Sequence, residues 1–202
     1  MLTYSGNFID VTDIQPEDLN LQDICRSLSL QCRWNGHLGK FYSVAQHSMV
    51  LAEACRMLDL GDTAARWALC HDFTETYFSD VPLPVKRNPG MEWFCREEDR
   101  VGRLVKERWV TSFSDVWESI YSDVDKLDKA LAVVEYEQLA EYRCDKSDEL
   151  FESAKMDQDT MEVLRRALYK VSGTRNVNQE VRCWCHKEAH ARLKLECRTC
   201  LS

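Results

Sequence analysis

From Ser43 to Leu58 the apolar residues fall on one side of a helix. Val44, Val50, Leu51, Ala54 and Leu58 recur at spacings of three and four, and His47 lies in the same stripe. Ser43 and Gln46 have the S-x-x-Q spacing of a capping box, so the helix is predicted to start there. Such a stripe has to be buried against other elements, and the rest of the chain offers mostly further helices. Only 7 Gly and 4 Pro stand against 30% charged residues, which disfavours a strand-and-turn protein. The expected fold class is an all-α helical bundle. At 202 residues and 45% apolar content the chain can bury one good core.

Punctuation residues divide the pattern. A first helix is predicted from near Pro16, with Asp18 in its first turn. Arg33 to Phe41 reads as a loop with two glycines. Gly61 ends the Ser43 helix, and Asp62 can cap a single helix from Thr63 to about Tyr77. The run DVPLPVKRNPG reads as non-helical because of its prolines. Further helices are expected from Glu92 to Trp109, from about Val116 to Tyr142, and from about Asp157 to Val171. After Ser172-Gly173 the composition shifts, so residues 1–173 read as the domain and 174–202 as a Cys/His-containing, frayed tail. That tail holds Cys183, Cys185, His186, His190, Cys197 and Cys200; Cys197-x-x-Cys200 has zinc-knuckle spacing, the weaker alternative for this segment.

Several function classes drop out. A net charge of −8 disfavours a general nucleic-acid binder. No run of about 18 apolar residues occurs, so no membrane span is expected, and Met1 to Asp10 lacks the pattern of a secretory signal. The ten cysteines then read as free thiols in a cytoplasmic setting.

The chemistry concentrates in three helical segments. His47 alone is more often a satisfied core histidine than a ligand. The adjacent pair His71-Asp72, inside RWALCHDFTE, places an imidazole and a carboxylate where a core needs neither. The segment DVDKLDKALAVVEYEQ adds Asp123, Asp125 and Asp128, and Asp128 starts a helical row with Leu131, Ala132 and Glu135. Helices that aim N and O ligands at one point are a usual way to build a metal site in a bundle. His and Asp ligands suit Mn, Co, Zn, Fe or Mg.

The order H…HD…D resembles that of the HD-domain phosphohydrolases. YSVAQHSMVLA, followed by ALCHDFTETYFSDVPLPVK, is similar to bacterial 5′-deoxynucleotidases and to phage HD hydrolases that include dATP triphosphohydrolases. The likeness covers roughly residues 25 to 140, and the run H-D-x-x-E-x-x-x-x-D-x-P-x-P-x-K carries most of it. Many relatives have Gly before the downstream Asp, where this chain has Ser79. The resemblance implies an HD-type bundle holding one divalent ion through His47, His71, Asp72 and a final Asp. Asp128 is preferred for that place because relatives carry a Glu seven residues later, as Glu135 is here; Asp125 is the runner-up and Asp123 the third choice.

Catalytic roles fall by the same likeness on Glu75, for water or proton transfer, and on Asp80, for substrate or the attacking water. Arg33 and Trp34 match a nucleotide-contacting Arg-Trp pair, and Lys86 would neutralise phosphate. His37 and Lys40 share the Arg33 loop and carry little weight. The implied partner is a small deoxynucleotide, on a chain that forms a homo-oligomer. Likeness to the phage group points to release of triphosphate from a deoxynucleoside triphosphate; the alternative is release of phosphate from a monophosphate. A nucleotide-sensing module without catalysis, and hydrolysis of an alarmone or cyclic dinucleotide, are the rivals.

Overall fold

A computed structural model of the chain describes residues 1–110, 117–174 and 181–201. The fold is all-α. The helices are α1 (Leu21–Leu28), α2 (Val44–Met57), α3 (Asp62–Cys70), α4 (Glu75–Phe78), α5 (Leu83–Lys86), α6 (Glu92–Trp109), α7 (Trp117–Leu139), α8 (Ser147–Phe151), α9 (Gln158–Ser172) and α10 (His186–Cys200). Extended pairing among the described residues is limited to two isolated bridges, Leu2 with Phe8 and Cys32 with Ser43. No helix among them is long and apolar enough to cross a membrane.

Helix α2 is the axis of the bundle. It packs against α3, α7, α9 and α10, and its stripe widens into a nearly complete circumference. Ala45, Ala52, Ala54 and Cys55 are buried alongside Val44, Val50 and Leu51. Small side chains on several faces let neighbouring helices approach from several directions, as close packing requires. Ser43 caps the helix as its spacing implies, accepting a hydrogen bond from the Gln46 backbone N–H. Gln46 does not return the bond as a capping box would. Its side chain leaves the helix for α9 and the C-terminal segment.

The helix boundaries depart from the sequence reading in ways that local chemistry explains. Pro16–Asp18 forms one 3-10 turn, and α1 starts later because the Asn20 carboxamide accepts from the N–H groups of Gln22 and Asp23. Gly61, at φ 85°, occupies the cap before α3, and Asp62 is the first helical residue. The predicted helix from Thr63 to Tyr77 is two helices. Between them Phe73, Glu75 and Thr76 donate to the carbonyls three residues back, at Cys70, Asp72 and Phe73, which tightens the chain around His71-Asp72. The proline run contains a helical turn after all, because Pro84 lies within the first turn of α5, where no N–H is required. The helix expected from about Val116 ends at Leu139 rather than Tyr142; Val116 lies outside the described residues.

The largest departure is at the C-terminus. Residues 181–201 are not a frayed tail in this structure. Val181, Trp184, Ala189, Leu193 and Cys197 are buried in the same core as α1 and α2. Ala189, Leu193 and Cys197 lie at spacings of four, one narrow face of α10. Trp184 is among the largest fully buried side chains of the protein, with the Arg192 guanidinium over its ring at 4.6 Å. Trp184→Ala is therefore expected to destabilise the whole domain by about 3–5 kcal/mol, read as a shift in the midpoint of urea unfolding. A midpoint equal to that of the unaltered chain would restore the frayed-tail reading.

Candidate metal centre

Three helical segments deliver their polar side chains to one point beside α2. His47 comes from α2 and is fully buried. His71 and Asp72 come from the tightened turn after α3, with side chains 12% and 16% exposed. Asp128 comes from the middle of α7. Its side chain is 32% exposed, but Oδ1 is itself buried and faces inward. His47 Nε2 lies 3.0 Å from Asp128 Oδ1 and 3.7 Å from Asp72 Oδ2. His71 Nε2 lies 3.1 Å from Asp72 Oδ1 and 3.9 Å from Asp128 Oδ1. Single donor atoms of His47, His71 and Asp72 fall within 4.8 Å of one another, a spread that one ion can span.

The hydrogen bonds fix which imidazole nitrogens face that point. His71 Nδ1 sits 2.8 Å from the Ala68 carbonyl, which can only accept, so Nδ1 carries the proton. His47 Nδ1 donates likewise to the Glu135 carboxylate at 2.6 Å. Both Nε2 atoms then face carboxylate oxygens, His47 Nε2 that of Asp128 and His71 Nε2 that of Asp72, close contacts that a proton or a cation between the atoms would stabilise. Buried polar atoms are almost always paired. Imidazole nitrogens and carboxylate oxygens that converge in this way could hold a cation. The donor set of two imidazoles and two carboxylates fits a divalent transition metal or Mg.

Glu135 is the residue whose role sequence reasoning missed. Seven residues from Asp128 puts it two turns along α7 on the same face, and that spacing was its only signal. It is fully buried and binds three groups. Oε1 accepts from His47 Nδ1, while Oε2 accepts from Arg33 Nε at 3.2 Å and from the Trp34 indole N–H at 3.3 Å. Burial opposes its ionisation, but the charges of Arg33 and His47 outweigh that and lower its pKa. A carboxylate behind a ligand imidazole fixes its tautomer and orientation.

The Arg33-Trp34 turn is strained to reach this carboxylate. Trp34 and Asn35 both adopt left-handed backbone, at φ 58° and 48°, which costs about 1–2 kcal/mol per residue. The loop is then tied to the end of α7 by the Gly39 N–H on the Leu139 carbonyl, where a side chain would crowd that oxygen at 3.2 Å. Arg33 reaches past Glu135 to Asp72 at 3.5 Å and Asp128 at 4.0 Å. Trp34 packs its ring on Tyr136 and Phe151.

Glu75 and Asp80 lie beside the cluster, held by one amide. Gln31 Nε2 donates to the Glu75 carbonyl at 2.9 Å, and Gln31 Oε1 accepts from the Asp80 N–H at 3.3 Å. Glu75 is buried with Oε2 unpartnered. Burial, with the charges of Asp72 and Asp80 adding to it, raises its pKa well above the carboxylate range. Asp80 is raised as well, by burial first and by Asp72 after it, against the pull of Arg33. His47 shows the opposite balance. Burial and Arg33 oppose its charged form, but Glu135 and Asp128 prevail and raise it to about 9. The surroundings of its Nε2 favour positive charge.

Two expected residues sit differently. Lys86 does not stand open toward the cluster: its ammonium is bound by both oxygens of Glu98, at 2.7 and 2.8 Å, and lies over the Phe94 ring. Asp125 is paired with Lys129 and Asp123 with Lys126, at the surface of α7, so Asp128 alone of the three aspartates reaches the histidines. The tail's cysteines and histidines make no group of three metal-competent atoms among the described residues.

No family model matches the chain. It is 37% identical over 107 residues to the uncharacterized protein YfdR of Escherichia coli and 34% identical over 110 residues to an uncharacterized protein of Rhodobacter capsulatus. These matches cover 53% and 52% of this chain, and the chain spans about half the length of the curated relatives it matches (56% and 55%).

Asp128→Asn is expected to lower the metal content of purified protein, measured by elemental analysis, by at least tenfold. Asp125→Asn should leave it unchanged; the reverse pattern would move the ligand by one turn. The backbone at Ser79 gives a second test. Its φ of 65° and ψ of 160° lie where only glycine is comfortable. Ser79→Gly should therefore raise the melting temperature by about 2–4 °C, as roughly 1 kcal/mol does in a domain of this size. A lowered melting temperature would show that the serine is accommodated.

Proposed function

We propose that this chain is an HD-type, divalent-metal-dependent phosphohydrolase that cleaves a small deoxynucleotide at the phosphorus carrying the 5′ oxygen. The observation that carries the reading is the convergence of His47, His71 and Asp72 within reach of one ion, with Asp128 Oδ1 3.0 Å from His47 Nε2. A divalent ion held by these residues supplies Lewis acidity toward a phosphoryl oxygen and acidifies water at the site.

The chain's own residues divide the remaining work. Glu135 holds the His47 ring and its tautomer. Glu75, whose burial beside Asp72 and Asp80 raises its pKa, is suited to carry a proton to the leaving 5′ oxygen. Asp80, on the turn before Pro82, would orient the attacking water. Arg33, whose guanidinium lies 3.5 Å from Asp72 and 4.0 Å from Asp128, would supply a planar fork of donors for phosphate oxygens. Trp34 and its aromatic neighbours offer an apolar wall for sugar or base.

The motif's likeness to the phage enzymes favours a deoxynucleoside triphosphate as substrate. One observation favours a monophosphate instead: Lys86, the cation expected for phosphate, is committed to Glu98.

Incubation with each deoxynucleoside mono- and triphosphate plus Mn, Co or Mg, resolved by ion-exchange chromatography, separates the two. Nucleoside plus triphosphate is the expected result, and orthophosphate from monophosphates alone would select the second reading. No turnover by metal-loaded protein would leave the sensing role. Glu75→Gln is expected to keep the metal and lower kcat about 10²- to 10⁴-fold; unaltered turnover would reduce Glu75 to a structural carboxylate.

A further inference from the structure

Gln46 is a polar side chain with no exposure in the middle of the bundle, one residue before His47. Its amide is fully engaged. Nε2 donates to Ser172 Oγ at the end of α9 and to the Arg182 carbonyl, each at 3.1 Å. Oε1 accepts from the Trp184 backbone N–H at 3.0 Å. One side chain thus gathers α2, α9 and the segment entering α10, across more than a hundred residues of sequence. Ser172 is itself fully buried, and so is the Trp184 ring. Burying such an amide is costly unless its partners are all present, so the site accepts the C-terminal segment in one position only.

The placement relative to the metal centre gives this clamp a consequence. On one side of α2, His47 is held against Glu135 of α7. On another, the neighbouring residue is held against α9 and the C-terminal segment. The two bonds fix both the position of α2 and its rotation about its own axis. A ligand has to be held within about 0.5 Å to bind its ion well. Resting on the metal reading above, we infer that Gln46 is a positioning residue for His47, and that residues 181–201 are a working part of the metal centre. The C-terminal segment acts through Gln46 and touches no ligand in doing so.

The test uses the full-length chain and Co(II) as the probe, because its visible absorption reports ligand geometry separately from stability. Gln46→Met keeps the volume and removes all three bonds. It is expected to weaken Co(II) binding by about tenfold or more, in the range found for residues that orient ligands, and to alter the absorption band. Ser172→Ala removes one acceptor and should weaken binding less, in the same direction; it also keeps the question answerable if Gln46→Met does not fold. A purely structural role predicts lower melting temperatures with the wild-type affinity and spectrum, and that result, in either folded variant, overturns the inference alone. Absence of Co(II) uptake by the wild-type chain, or equal uptake by His71→Ala, overturns the metal reading and this inference with it.

Discussion

A buried histidine on α2 donates to a buried carboxylate on α7, at 2.6 Å, and the architecture around the candidate centre depends on that bond. Neither His47 nor Glu135 has any exposure, so each would be costly without the other. Together they fix the distance between the two helices that carry His47 and Asp128. Glu135 also draws in Arg33 and Trp34, and the left-handed turn at Trp34 and Asn35 is the strain accepted for that convergence. The charge pattern follows. Asp72, Asp128 and Glu135 all lie within ion-pair distance of both Arg33 and His47, a concentration of carboxylates that positive charge stabilises.

The parts of this arrangement that were legible in the sequence are those that periodicity controls. His47 within an apolar stripe, and Asp128 two turns before Glu135, are consequences of helical repeat and survive in the structure. Asp123, five residues before Asp128, is rotated by about 140° onto another face, whereas Asp125 lies one turn earlier along α7; the two pair with Lys126 and Lys129 instead. His71-Asp72 as an adjacent polar pair inside an apolar segment was also visible.

What stayed hidden depends on bonds between distant residues or on backbone detail. Nothing between Ala68 and Tyr77 is a glycine or proline, so the break after Cys70 had no sequence signal. It arises where the chain tightens to three-residue hydrogen bonds and the His71 ring takes the Ala68 carbonyl. The Gln31 amide that spans Glu75 and Asp80 is likewise invisible without coordinates. The C-terminal segment was misjudged because its apolar content is low. Trp184 and the narrow Ala189, Leu193, Cys197 face suffice, since Gln46 supplies the remaining attachment.

The proposed function requires that His47, His71, Asp72 and Asp128 hold one divalent ion. The most direct measurement is anomalous X-ray diffraction from crystals grown with Mn or Co. One strong peak is expected about 2.0–2.2 Å from His47 Nε2 and His71 Nε2, with oxygens of Asp72 and Asp128 at similar range. A peak among the C-terminal cysteines instead, or no peak between the two histidines at saturating metal, would contradict it.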